Sequence, residues 1–275
     1  MDIIKAIIFG IIEGITEWLP VSSTGHLIIA EHFLPFGQSA AFKEMFDVVI
    51  QLGAILSVVV IYFNKLNPFS SQKTEKEVQQ TWILWLKVLL ACIPAAVVGL
   101  PLNDWLDEIF YKFIPVAVTL IIYGVAFIVL ERYWVPGHKF TVTSVHRISY
   151  RMALIIGVFQ VLALIPGTSR SGATIVGALL LGVGRAAGAE FSFFLGIPIM
   201  FGASSLKIFK FFVEGNSLGL YQISILLIAT LVAFAVSMLA IRWLVAFVQK
   251  HDFSIFGKYR IALGMLLLLL AVLGF

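Results

Sequence analysis

Long apolar runs dominate the chain, and most charged residues fall in the gaps between them. Six runs can each supply the roughly 20 apolar residues a helix needs to cross a bilayer. They lie at 45–63, 82–101, 113–131, 191–213, 220–247 and 257–275. Strands of a membrane barrel would alternate polar and apolar positions. These runs do not alternate, so they predict helices. Two further apolar stretches, 1–34 and 150–186, are interrupted in the middle. Pro20-Val-Ser-Ser-Thr-Gly25 breaks the first, and Pro166-Gly-Thr-Ser-Arg-Ser-Gly172 breaks the second. Each half holds about 14–19 residues, or roughly 21–28 Å of helix. That length predicts a re-entrant helix–loop–helix, which dips into the membrane and returns on the same side. Irregular backbone at that depth is tolerated only inside protein or beside a water-filled cavity.

Composition agrees. Hydrophobic residues make up 60% of the 275 and charged residues 12%, with a mean hydropathy of +1.02. A soluble domain carries about a quarter of its residues charged, so the apolar excess here faces lipid. A single cysteine, Cys92, excludes an internal disulfide and reads as a small core residue. The first stretch lacks a basic start and carries Glu13 and Glu17 in its apolar region, unlike a cleavable signal peptide. The pI near 9.2 needs no nucleic-acid partner, because membrane proteins concentrate Lys and Arg in cytoplasmic loops.

Charge also orients the chain. With both broken stretches re-entrant, loops 64–81, 131–152 and 248–260 share one side. They carry ten basic residues: Lys65, Lys73, Lys76, Arg132, Lys139, Arg147, Arg151, Lys250, Lys258 and Arg260. Loops 35–45, 102–112 and 214–219 carry only Lys43 and Lys112. The basic side is therefore expected to be cytoplasmic. The first broken stretch then enters from outside and the second from the cytoplasm. The halves, about 1–131 and 150–275, also resemble each other. Pro20-Val-Ser-Ser aligns with Pro166-Gly-Thr-Ser, and each is followed about 25 residues later by a Phe-led apolar segment, at Phe46 and Phe191. Three spans separate the breaks, so the repeats are expected to be inverted within one membrane domain. In such folds the binding site lies where the broken helices meet.

The polar residues concentrate at that place. Glu13 and Glu17 are four apart and share one helix face. Buried carboxylates of this kind serve interhelical salt bridges, a divalent-cation site, or a general acid/base pair. Ser22, Ser23 and Thr24 offer an N-cap to the returning helix. Such a helix start, buried beside His26, is also an anion site. Ser23 with His26 three residues on forms a candidate nucleophile and base. Arg170 stands in the second break among Ser169, Ser171 and Thr174. Its planar fork suits a phosphate, the alternative being a salt bridge to Glu13 or Glu17. Two helix starts and an arginine describe a site for a highly charged anion such as a diphosphate. Gln51 and Gln160 are candidate cavity-lining residues. Glu190, Lys207 and Lys210 fit span ends, Trp82, Trp85, Trp105 and Trp134 fit an interfacial belt, and Asp104, Asp107 and Glu108 read as a solvated loop.

The run Glu13-Gly-Ile-Thr-Glu17-Trp-Leu-Pro-Val-Ser-Ser-Thr-Gly-His26, with Pro166-Gly-Thr-Ser-Arg-Ser-Gly-Ala-Thr174, resembles the bacterial undecaprenyl-diphosphate phosphatases of the bacitracin-resistance type. The resemblance covers essentially the whole chain and keeps every polar motif position. It implies hydrolysis of undecaprenyl diphosphate to the monophosphate carrier lipid in the bacterial plasma membrane, at an outward-facing site. Carrier recycling for cell-wall synthesis and bacitracin resistance follow. It also implies a divalent cation, Mg²⁺ or Ca²⁺, on Glu13 and Glu17. Catalysis then maps to Ser23, His26, Glu17 and Glu13, and diphosphate binding to Arg170, Ser169, Thr174 and Ser171. The expected roles are attack by Ser23 with His26 as base or acid, or attack by His26 itself. The rival class is a lipid-phosphate flippase, since broken helices in inverted repeats are also transporter hallmarks. A bare scaffold would leave the buried charges unexplained. Expected partners are the isoprenoid lipid diphosphate and membrane lipid. A homodimer is left open.

Overall fold

The computed structural model describes residues 2–274, apart from the side chains of Asn103, Asp104 and Asp107. Twelve α-helices follow in order. The first half holds α1 (Asp2–Thr16), α2 (Ser23–Phe33), α3 (Ala40–Val49), α4 (Gln51–Ile61), the short α5 (Phe63–Leu66), α6 (Glu75–Phe110) and α7 (Phe113–Val129). The second holds α8 (Tyr150–Val161), α9 (Arg170–Leu180), α10 (Arg185–Val213), α11 (Leu220–Val248) and α12 (Ser254–Val272). The described residues form no strand, only an isolated bridge between Val142 and Val183.

Among the described residues, six segments are long and apolar enough to cross a membrane: Ala40–Ile61, Glu75–Leu102, Phe113–Gly137, Arg185–Val213, Leu220–Val248 and Ser254–Val272. They match the six expected runs, with ends shifted by several residues. The chain is an all-α integral membrane protein. Exposed Leu, Ile, Val and Phe side chains run along these helices, as lipid-facing surfaces require. The largest boundary difference is at α6, which passes through Pro94 and Pro101 and stays helical to Phe110. The expected loop at 102–112 is therefore mostly helix. Each proline removes one backbone donor, but no water competes for the remaining bonds inside a membrane helix. Glu108 lies on this helix; the side chains of Asp104 and Asp107 lie outside those described.

The helices α1, α2, α8 and α9 have 15, 11, 12 and 11 residues. At 1.5 Å per residue they are about 16–23 Å long, too short to span a roughly 30 Å core. Each pair folds back on itself. Gln38, just beyond α2, donates to Asp2 at the start of α1 (3.2 Å), and the Lys5 ammonium donates to the Pro35 carbonyl. In the second pair, the Thr141 and Gly184 amides bond the Gly182 and Val142 carbonyls, at 3.1 and 2.8 Å.

Packing between the halves is reciprocal. Helix α1 lies parallel to α11, with Gly10 on Ala229 and Gly14 on Ala233. Helix α8 lies parallel to α6, with Gly157 on Ala91 and Leu164 on Gly99. Both contacts need glycine. A Cβ at Gly10 would come within 2.5 Å of the Ala229 oxygen, and one at Gly157 within 2.2 Å of the Ala91 oxygen. Such close backbone approach drives helix association where lipid removes the hydrophobic advantage. Helices α7 and α12 run antiparallel, with Gly124 on Gly257 and Gly264 on Ala117.

Candidate active site

Both breaks have the same local build. Ser22 (φ 74°) and Ser169 (φ 68°) are the only non-glycine residues with positive φ among those described. Each side chain caps its helix, Ser22 Oγ accepting from Gly25 N at 3.3 Å and Ser169 Oγ from Gly172 N at 3.2 Å. The left-handed conformation costs a serine about 1–3 kcal/mol, and such strain gathers at functional sites. The caps pair Ser22 with Ser169, one position away from the alignment on the prolines. Ser23 and Arg170 thereby become counterparts, each the first residue of its helix.

Those two side chains converge on Glu17. Ser23 Oγ donates to Glu17 Oε2 at 2.8 Å, and Arg170 Nη2 donates to Oε1 at 3.1 Å. Glu13 is fully buried one turn earlier, and Glu17 is 7% exposed. Arg170 Nη1 donates to the Ser192 carbonyl of α10 (2.7 Å), and its guanidinium lies 5.7 Å from the Trp18 ring. Gly196 leaves the space, since a Cβ there would stand 3.0 Å from Nη2. Ser171 Oγ lies 3.3 Å from the carbonyls of Glu17 and Leu19, tying the second break to the first. Ser169 Oγ is 3.2 Å from Ser171 Oγ.

Two expected site residues face elsewhere. His26 places Nδ1 2.7 Å from its own helix's Ser22 carbonyl and Nε2 2.7 Å from the Tyr259 hydroxyl. A carbonyl only accepts, so Nδ1 carries the proton and Nε2 accepts from Tyr259. Ser23 thus meets a carboxylate rather than the imidazole expected from the three-residue spacing. Backbone spacing limits which side chains can meet, but χ angles and neighbours choose among them. Thr174 is fully buried, with Oγ1 2.7 Å from Ser192 Oγ and 2.9 Å from the Arg170 carbonyl. It fastens α9 to α10 and holds the backbone of Arg170.

Several polar atoms here are buried and have no partner among the described residues: both Glu13 oxygens, Arg170 Nε and Trp18 Nε1. Glu17 and Asp47 also act on Glu13 electrostatically. A diphosphate added to these carboxylates needs more positive charge than Arg170 supplies. No group of three or more His, Cys, Asp and Glu side chains is placed to hold a metal among the described residues. The donors do fit a hard cation that draws its other ligands from water and phosphate, which is the habit of Mg²⁺. Glu13, fully buried one turn before Glu17, would be its foremost ligand.

Sequence reasoning missed Tyr259, Ser192, Trp18, Asp47 and Arg260 as neighbours of the breaks. The charge pattern places Arg260 in a cytoplasmic loop. It is instead fully buried in α12 against both breaks, leaving nine basic loop residues against two. Arg260 stands at the edge of the apolar run 257–275, two residues after Lys258, so local sequence offered no signal of its burial. Glu190 and Lys207, expected at span ends, form ion pairs with Lys65 and with Glu44.

Fold and site together define a polytopic helical membrane protein with a buried serine–glutamate–arginine site between two broken helices. Comparison with known proteins agrees. Residues 6–266 match the model of the family described as bacitracin resistance protein BacA, and the chain belongs to that family. It is 69% identical to the undecaprenyl-diphosphatase of Lactococcus lactis subsp. cremoris (strain SK11), covering 98% of each chain. It is 59% identical to the protein of the same name from Streptococcus gordonii, covering 98% of this chain and 95% of that one. For the one from Streptococcus pyogenes serotype M4 the identity is 56%, over 100% and 98%.

Proposed function

We propose that the chain hydrolyses undecaprenyl diphosphate to undecaprenyl phosphate and inorganic phosphate, recycling the carrier lipid and conferring bacitracin resistance. The observation that carries this reading is the meeting of Ser23 and Arg170 on Glu17 at two buried helix starts. Arg170 grips the terminal phosphate as a fork, helped by the free N–H groups of both helices and by Ser169 and Ser171. Glu17 takes the Ser23 proton as Oγ attacks the terminal phosphorus. The new Oγ–P bond forms as the anhydride P–O bond breaks, and the lipid leaves as its monophosphate. Glu17 passes that proton to the departing monophosphate, then takes a proton from the water that attacks the phosphoserine and returns it to Ser23 Oγ as the Oγ–P bond breaks, which restores Ser23 and frees inorganic phosphate. His26 braces the Ser22 turn from behind. A divalent cation, when bound by Glu13 and Glu17, offsets phosphate charge.

Halves 1–131 and 150–275 are inverted repeats, and both broken pairs are re-entrant. Supporting this, α7 and α12 run antiparallel, while α1 and α8 each lie parallel to the corresponding helix of the other half. Nine basic loop residues against two orient the chain in the bacterial plasma membrane with its site facing outward. A flippase shares this architecture. Phosphate release decides: purified protein in detergent should release phosphate from undecaprenyl diphosphate, and Glu17→Gln should not. Lipid translocation in vesicles without any phosphate release would sink the phosphatase reading.

A further inference from the structure

A buried charge with no acidic partner lies where the two breaks meet. Arg260 is fully buried in α12. Its Nη1 donates to the Pro20 carbonyl at 3.2 Å, and Nη2 to the Gly167 and Thr168 carbonyls at 2.7 and 3.0 Å. One guanidinium therefore holds both breaks, three residues before Ser23 and two before Arg170. The Tyr123 ring lies 5.8 Å from it, and Nε has no partner among the described residues. No carboxylate is within ion-pair distance of Arg260 among those residues, whereas Arg170 has Glu17 and Arg185 has Glu131.

Burying an unpaired guanidinium is costly, and carbonyl dipoles offset only part of that. The cost falls when an anion arrives nearby. At the diphosphate site Glu17 already neutralises Arg170, so Arg260 carries the charge the substrate has still to balance. Its grip also orients the backbone. A trans peptide points its carbonyl and N–H in opposite directions. With the Thr168 carbonyl on Arg260, the Ser169 N–H is directed away from it. We propose that Arg260 is a positioning residue of the diphosphate site, setting the spacing of the two breaks and supplying uncompensated positive charge for the second phosphate. This rests on the phosphatase reading above.

The test is binding of methylene bisphosphonate and methylphosphonate to purified protein in detergent, with lipid-diphosphate turnover measured in parallel. Arg260→Met should weaken bisphosphonate binding about tenfold, the order expected of one unit charge across a partly buried site, and methylphosphonate less. Arg260→Lys keeps the charge but not the two-pronged grip. It should bind the bisphosphonate near wild type yet turn over more slowly, a split that general destabilisation would not give. Tyr123→Glu leaves the arginine in place and hands it a carboxylate, and should mimic Arg260→Met. Folding of each variant is checked by thermal unfolding. Wild-type bisphosphonate affinity in folded Arg260→Met or in Tyr123→Glu overturns the proposal. If neither folds, Arg260→Lys decides, and equal loss of binding and turnover overturns it. Wild-type protein that binds bisphosphonate but releases no phosphate would refute the phosphatase reading and leave the Arg260 comparison standing.

Discussion

Replacing Ser23 by alanine separates chemistry from binding. The serine hydroxyl makes one hydrogen bond, 2.8 Å long, to Glu17 Oε2. A hydrogen bond to a charged group is worth roughly 1.5–3 kcal/mol. Glu17 keeps its Arg170 contact through the other oxygen, so the carboxylate is not orphaned and the lower figure applies. The cap of α2 is Ser22, not Ser23, so the turn itself should survive. Unfolding should therefore shift by only a few degrees. Binding should also survive, because Arg170, Ser171 and both helix starts remain. The bisphosphonate Kd should change by less than about tenfold, or roughly 1.4 kcal/mol. Turnover should behave quite differently. Losing the nucleophile of a covalent mechanism costs several orders of magnitude in kcat. The assay is phosphate release from undecaprenyl diphosphate, paired with bisphosphonate binding on the same preparation. If Ser23→Ala binds normally and still turns over within about tenfold of wild type, Ser23 is no nucleophile. A water activated by Glu17, or His26 itself after leaving Tyr259, would then be the attacking group.

Arg170→Lys keeps a charge but cannot reach Glu17, the Ser192 carbonyl and a phosphate together; kcat/KM should fall about ten- to a hundredfold, in line with one lost charged hydrogen bond. Steady-state kinetics across lipid concentrations would show it. EDTA should abolish turnover and Mg²⁺ or Ca²⁺ restore it, while Glu13→Gln should raise the metal concentration needed; full activity in EDTA would remove the cation from the reaction. For topology, cysteines replacing Lys73 and Ser144 in a Cys92→Ser background should resist an impermeant thiol reagent in intact cells, whereas one at Asn216 should react. Labelling at 144 would reverse the orientation.

The membrane architecture was legible because lipid imposes simple demands on composition. Unbroken apolar runs can only be spanning helices, so all six appear where hydropathy places them. The breaks at Pro20 and Pro166 were equally plain, since proline and clustered hydroxyl residues punctuate a helix whatever surrounds it. Glu13, Glu17 and Arg170 stood out because charge inside an apolar run is expensive. Their meeting between two segments about 150 residues apart followed only from the repeat. Which partner each side chain takes was not legible. Spacing brought His26 near Ser23, but Tyr259 of α12 and Glu17, just beyond α1, drew the two apart. Thr174 read as a phosphate ligand and is a buried tie to Ser192. Arg260 read as a loop cation and lies locked between the breaks, because only the packing of α12 across α7 brings it to their carbonyls. Hydropathy and local breakers act along the chain and can be read from it. The pairing of side chains depends on helix crossings set by glycine contacts far apart in sequence, and those exist only once the chain has folded.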